Sequence, residues 1–177
     1  MNADSVKIRI LIVSNDFAET DTIKSWLEKD MRIPWGMSHC VNIKEARSRI
    51  NKADLVILKP EMEGALTPKE VFQSIDDMVF EIPILVLKGA EDERALSTYV
   101  MEQGAADTVI RGQFARLVDA IEFALIRQKL KTDTRKEAEK NLTYSQVEDA
   151  ARNEKQKQIL RMLGGDYAVD QQDKPNT

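Results

Sequence analysis

Cysteine and histidine occur once each in this sequence of 177 residues, as Cys40 and His39. One cysteine excludes an internal disulfide framework and any cysteine-rich metal site. One histidine excludes poly-histidine metal centres and leaves little material for a hydrolase-type triad. Long apolar runs are missing too; the longest are Ile10 to Val13, Leu55 to Leu58 and Ile82 to Leu87. A membrane-spanning helix needs about 20 apolar residues and a signal peptide an apolar stretch of about 7–15. Neither fits, so a soluble, cytoplasmic protein is expected. An excess of positive charge is also lacking: 26 basic residues face 30 acidic ones, for a net charge of -4. The chain as a whole is therefore not suited electrostatically to nucleic acid.

What is present is aliphatic and charged. The apolar share of 42% can bury a sizeable core, while the charged share of 32% exceeds the roughly 25% of an average globular domain. Some of the chain should therefore be solvated helix. The two properties are unevenly placed. Residues 128–177 carry 10 basic and 9 acidic groups, leaving 16 against 21 for residues 1–127, about -5 by that subtraction. The short apolar runs lie almost entirely in the first part. The expected organisation is one domain over residues 1–130, a helical extension over 131–163 and a flexible tail over 164–177.

Within residues 7–130 the punctuation is regular. Short aliphatic or β-branched runs at Ile8–Ser14, Met37–Val41, Leu55–Leu58, Ile84–Leu87 and Thr108–Ile110 predict strands. Stretches of helical period at Asp21–Lys29, Ile43–Asn51, Pro68–Met78, Glu91–Gln103 and Gln113–Leu130 predict helices. Five strands alternating with five helices predict an α/β fold, a doubly wound five-stranded parallel sheet covered on both faces. In such sheets functional loops leave the carboxyl ends of the strands. Here those loops begin at Ser14, Lys59, Lys88 and Arg111.

Four segments, ILIVSND (10–16), DLVILKPEM (54–62), IPILVLK (82–88) and GAADTVIR (104–111), fall in one characteristic order and spacing. In them the sequence resembles the receiver domain of bacterial two-component response regulators, of the flavodoxin-like fold, over about residues 7–130. The resemblance implies a degenerate member, a pseudo-receiver. The position of the phosphoacceptor aspartate holds Lys59, whose ammonium has no oxygen with which to form an acyl phosphate. The acidic pair that holds magnesium is matched by Ser14 and Asn15, poor substitutes for anionic oxygens. Lys88 replaces the hydroxyl residue of the fourth strand, and Thr108 the aromatic switch of the fifth. Arg111 stands where the family has lysine. No cofactor and no metal ion are implied.

Other readings of the same residues remain open. Asp16, by a one-residue slip, or Glu61 could serve as a displaced phosphoacceptor. Lys59 could neutralise neighbouring carboxylates such as Asp16 in place of a metal, since unpaired buried charge is costly. Lys59, Lys88 and Arg111 could converge to hold an anion or small molecule. His39 is expected in the second strand as a packed residue, Trp26 in the core, and Trp35 in a turn. Gly164-Gly-Asp166 matches part of a diguanylate cyclase signature by coincidence, because only eight residues follow Val169.

The fifth helix carries two stripes. At about 100° per residue, Phe114, Leu117, Val118, Ile121 and Leu125 share the side that packs on the sheet. Phe123, Ile126 and Leu130 lie about 140–200° from Ile121, where a sheet-covering helix should be polar. They predict a contact with a second copy, a partner protein or the chain's own C-terminal segment. In receiver domains the fourth helix, fifth strand and fifth helix form the usual partner face. After Leu130 the helix should run on through Lys140, weaken at residues 141–146, and restart near Ser145 from a new Thr or Ser cap. The expected function is a phosphorylation-independent signalling adaptor, non-enzymatic, homodimeric through the fifth helix, with a signalling protein as partner and neither nucleic acid nor membrane.

Overall fold

In the computed structural model, residues 7–62, 66–89 and 94–163 are described. Five strands form one parallel sheet: β1 (Ile8–Val13), β2 (Trp35–Cys40), β3 (Leu55–Leu58), β4 (Ile84–Lys88) and β5 (Asp107–Ile110), in the order β2-β1-β3-β4-β5. The helices between them are α1 (Phe17–Asp30), α2 (Ile43–Arg49), α3 (Pro68–Gln73), α4 (Arg94–Glu102) and α5 (Leu117–Leu163).

The order follows from burial. Side chains alternate across a strand, so a strand covered on both faces must be apolar at every position. In β1 the alternation sends Leu11 and Val13 to one face and Ile10 and Ile12 to the other. The first face packs with Val56, Leu58, Ile84 and Val86 against Ala46 of α2, Phe72 of α3 and Val100 of α4. The second packs with Ile57, Leu85 and Val109 against Ile23 and Leu27 of α1 and Leu117 and Ile121 of α5. Fully burying one such side chain contributes about 1.5–3 kcal/mol, and the two layers together make the core. At the edge, β2 reads WGMSHC and only Cys40 is fully buried, because one side of the strand has no neighbour.

Helix boundaries follow local chemistry. α1 starts at Phe17, earlier than the periodicity predicts, because Asp16 is its N-cap and accepts from the Glu19 N–H at 3.0 Å. α3 starts where expected, at a capping box of Thr67 and Glu70 with Pro68 in the first turn. It stops sooner, at Gln73, and the chain tightens into a 3-10 turn over Asp76–Met78. α2 likewise ends in a 3-10 turn, Ile50–Lys52. Beyond α4, Gly104 takes φ +99, and a Cβ there would lie 3.0 Å from Val79 Cγ2.

Two expectations are corrected. Trp35 is not in a turn: it opens β2, pairs with Ile8 and packs half-buried on the second core layer, as Trp26 does from α1. The break near Asn141 does not occur, and α5 is one helix through Leu163. Thr143 Oγ1 donates to the Glu139 carbonyl at 2.9 Å, a bond back along the helix, so the hydroxyl does not cap a new one. The chain divides into two compact units, residues 1–131 and 132–177. In the second unit, residues 132–162 are helical and exposed throughout. The expected tail over 164–177, with its Gly-Gly-Asp, lies outside the described residues.

Candidate functional site

The carboxyl edge of the sheet positions the site. Backbone bonds extend the ladder one residue beyond β3 and β5: Lys59 N–H donates to the Val13 carbonyl at 2.9 Å and Arg111 N–H to the Lys88 carbonyl at 2.8 Å. Ser14, Lys59, Lys88 and Arg111 therefore line up along that edge. Ser14 is buried; its Oγ accepts from the Asp16 N–H at 3.1 Å and turns the chain into α1. Its carbonyl lies 2.6 Å from His39 Nε2. A carbonyl only accepts, so Nε2 is the protonated ring nitrogen, and His39 pins the β1–α1 loop from β2. His39 is half-buried, its ring edge-on to Phe17 with centroids 5.2 Å apart.

Arg111 is the hub. Its Nε donates to Glu19 Oε1 at 2.6 Å, its Nη1 to Glu61 Oε2 at 2.9 Å, and its Nη2 to Asp16 Oδ2 at 3.4 Å. One guanidinium thus ties α1, the β3–α3 loop and β5, a task suited to its planar fork of donors. Glu61 also reaches the β4–α4 loop, where Gly89 N–H lies 3.4 Å from Oε1. Lys59 is buried, and its Nζ lies 3.6 Å from Asp16 Oδ2. The Glu19 N–H holds Asp16 below the usual carboxylate range, and Lys59 and Arg111 add to that effect. Glu19, with Glu61 behind it, raises the Arg111 guanidinium further.

The residues read from the sequence fall into two groups. Asp16, Lys59, Glu61 and Arg111 belong to this cluster, Ser14 holds the Asp16 backbone beside it, and Asn15 lies between the two in sequence. Lys88 and Thr108 instead line a neighbouring cavity of about 240 Å³ with Ile110, Gln113 and Arg116. Three carboxylates, Asp16, Glu19 and Glu61, engage Arg111, so its charge is met within the chain. Sequence reasoning missed Glu19. Its only signal was the Asp16-x-x-Glu19 spacing of a helix start, and Glu19 turns its side chain to Arg111 instead of back to the cap.

The cluster's chemistry is that of internal neutralisation. Two cations, Lys59 and Arg111, meet three carboxylates, Asp16, Glu19 and Glu61. Asn15 Oδ1 and Glu19 Oε2 are buried without a hydrogen-bond partner. Magnesium takes hard oxygen ligands in octahedral geometry. Asn15, Asp16 and Glu61 are the oxygens nearest to that role, but an ammonium and a guanidinium already face the acids. Among the described residues no group of three or more His, Cys, Asp or Glu could hold a metal ion, and no helix is long and apolar enough to cross a membrane.

Comparison with known proteins places this geometry. The response regulator receiver domain protein of Clostridium thermocellum is 22% identical over 70% of this chain and 98% of its own, with a TM-score of 0.59. A CheY-like receiver domain protein of Methanospirillum hungatei is 18% identical over 71% and 98%, with a TM-score of 0.58. The chain has the receiver fold. NtrX of Brucella abortus is similar over 74% of this chain and 29% of its own, at 21% identity and a TM-score of 0.63. No family model and no curated protein sequence matches the chain. Within the receiver fold, the Arg111 cluster occupies the carboxyl ends of β1, β3 and β5, the edge where open α/β sheets hold their ligands.

Proposed function

We propose that this chain is a phosphorylation-independent receiver-like signalling adaptor, cytoplasmic and non-enzymatic. It acts through protein–protein contacts of the face made by α4, β5 and α5 and through its C-terminal helix. It works as a homodimer through α5, with a signalling protein as partner and neither nucleic acid nor membrane. One observation carries the reading: the loop cluster is closed by its own ion pairs, with Lys59 at the end of β3 and Arg111 engaged by three carboxylates. The pocket is held by fixed charges, so it needs neither a phosphoryl group nor a metal ion to tie its loops. The displaced acids are poor nucleophiles here, since Asp16 caps α1 and Glu61 is bonded to Arg111.

The test is incubation with acetyl phosphate and magnesium followed by intact-mass measurement. The expected mass is unchanged. A stoichiometric gain of one phosphoryl group, lost on Asp16→Ala or Glu61→Ala, would overturn the reading. Lys59→Asp alone should also stay unmodified, because Ser14 and Asn15 remain poor magnesium ligands.

A further inference from the structure

We infer that two copies pair antiparallel along α5, so that the outer stripe of each first unit receives the helical extension of the other copy. The inference rests on the homodimer reading above and names the segment that completes the interface. Phe123, Ile126 and Leu130 are 56%, 55% and 61% exposed, and Tyr144 and Val147 are 72% and 62% exposed. Counted in alternating steps of three and four, the first group and the second fall in one heptad phase, with Ala151 next in line. Between them the same phase holds Asp133, Glu137 and Lys140.

Those three charges choose the occupant and its direction. A parallel pair in register would set each of them against its own copy, like charge against like. An antiparallel pair that places Glu137 opposite Lys140 of the second copy makes that ion pair twice. The same register, with no further adjustment, sets Leu130 against Val147 and Ile126 against Ala151. It brings the Tyr144 hydroxyl to the Asp133 carboxylate and lays Phe123 on the methylene stem of Glu154. Every interrupting charge then has a complement.

The extension needs such a partner. Isolated helices draw little stability from propensity alone, and a helix exposed all round depends on many side-chain pairs. Among the described residues 132–162 there is a single ion pair, Arg135–Glu139 at 2.9 Å.

The experiment uses full-length chains in a Cys40→Ala background, since Cys40 is the sole thiol. Leu130→Cys and Val147→Cys are treated with a short bismaleimide, separately and as an equal mixture. Both positions are exposed, and circular dichroism verifies folding. Crosslinked dimer is expected only in the mixture, approaching about half of the dimers, the heterodimeric share. Lys140→Glu should weaken assembly about tenfold or more, and Glu137→Lys/Lys140→Glu should restore it. Crosslinking of Leu130→Cys alone, with the parent a dimer by light scattering, overturns this register and leaves the homodimer standing. A monomeric parent overturns both.

Discussion

Arg111→Met should cost the first unit about 2–3 kcal/mol, most of it through Glu19. The Glu19 side chain is only 9% exposed and loses its 2.6 Å partner while its other oxygen is already without one. A hydrogen bond to a charged group contributes about 1.5–3 kcal/mol. Glu61 is 32% exposed, so water screens its contact and adds about 0–1 kcal/mol. Asp16 keeps the Glu19 N–H and Lys59, and contributes little to the loss. Urea unfolding followed by the fluorescence of Trp26 and Trp35, which pack on the sheet layer, reads this unit. With a slope near 2 kcal/mol/M the midpoint should fall by roughly 1–1.5 M. The double variant with Glu19→Gln should show coupling of about 1–2 kcal/mol, since that change removes the stranded charge. Arg116→Met is the control: its side chain is 75% exposed and pairs with Asp107 at 3.5 Å, so its cost should stay under about 0.5 kcal/mol. Equal small losses for both variants, with no coupling to Glu19, would refute the hub.

The two stripes of α5 should separate stability from assembly. Ile121→Ala, at a fully buried position, should destabilise by about 2–5 kcal/mol, whereas Phe123→Ala should change the unfolding free energy of the first unit by less than about 0.5 kcal/mol. Acid should weaken the fold in a defined direction. The Glu19 N–H lowers the folded-state pKa of Asp16, Arg9 that of Asp54, and Thr67 that of Glu70. Their stabilisation is complete above the unfolded values of about 3.9 for Asp and 4.3 for Glu, and is lost as pH falls through the lower folded values. Urea midpoints should therefore be flat at neutral pH and drop below about pH 4. Asp54→Asn should make that drop shallower, and an unchanged acid limb would exclude the Arg9–Asp54 pair as a contributor.

Legibility in the sequence tracked burial. β1, β3 and β4 were visible because a central strand covered on both faces must be apolar throughout, and Leu55–Leu58 was read to the residue. The edge strand β2 was blurred, since half of its surroundings are open and WGMSHC carries no clean alternation. The start of α1 was missed because Phe17 is 64% exposed and falls outside the apolar period. The continuity of α5 past Asn141 was missed as well. Thr143 there spends its hydroxyl hydrogen bond on the helix itself, a choice that composition leaves undetermined.

By itself the sequence determined the layering of the fold, the row of residues at the carboxyl edge and the outward stripe of Phe123, Ile126 and Leu130. Each of these follows from periodicity, a property of neighbours along the chain. Tertiary structure alone decided which charges meet. Glu19 and Arg111 lie 92 positions apart and touch at 2.6 Å, because strand order brings β5 and the start of α1 to one edge. Of the three cations that end neighbouring strands, Lys59 and Arg111 meet Asp16, while Lys88 lines a cavity with Thr108 and Gln113. Charge pairing depends on distances of a few ångströms between distant segments, and only the folded sheet sets those.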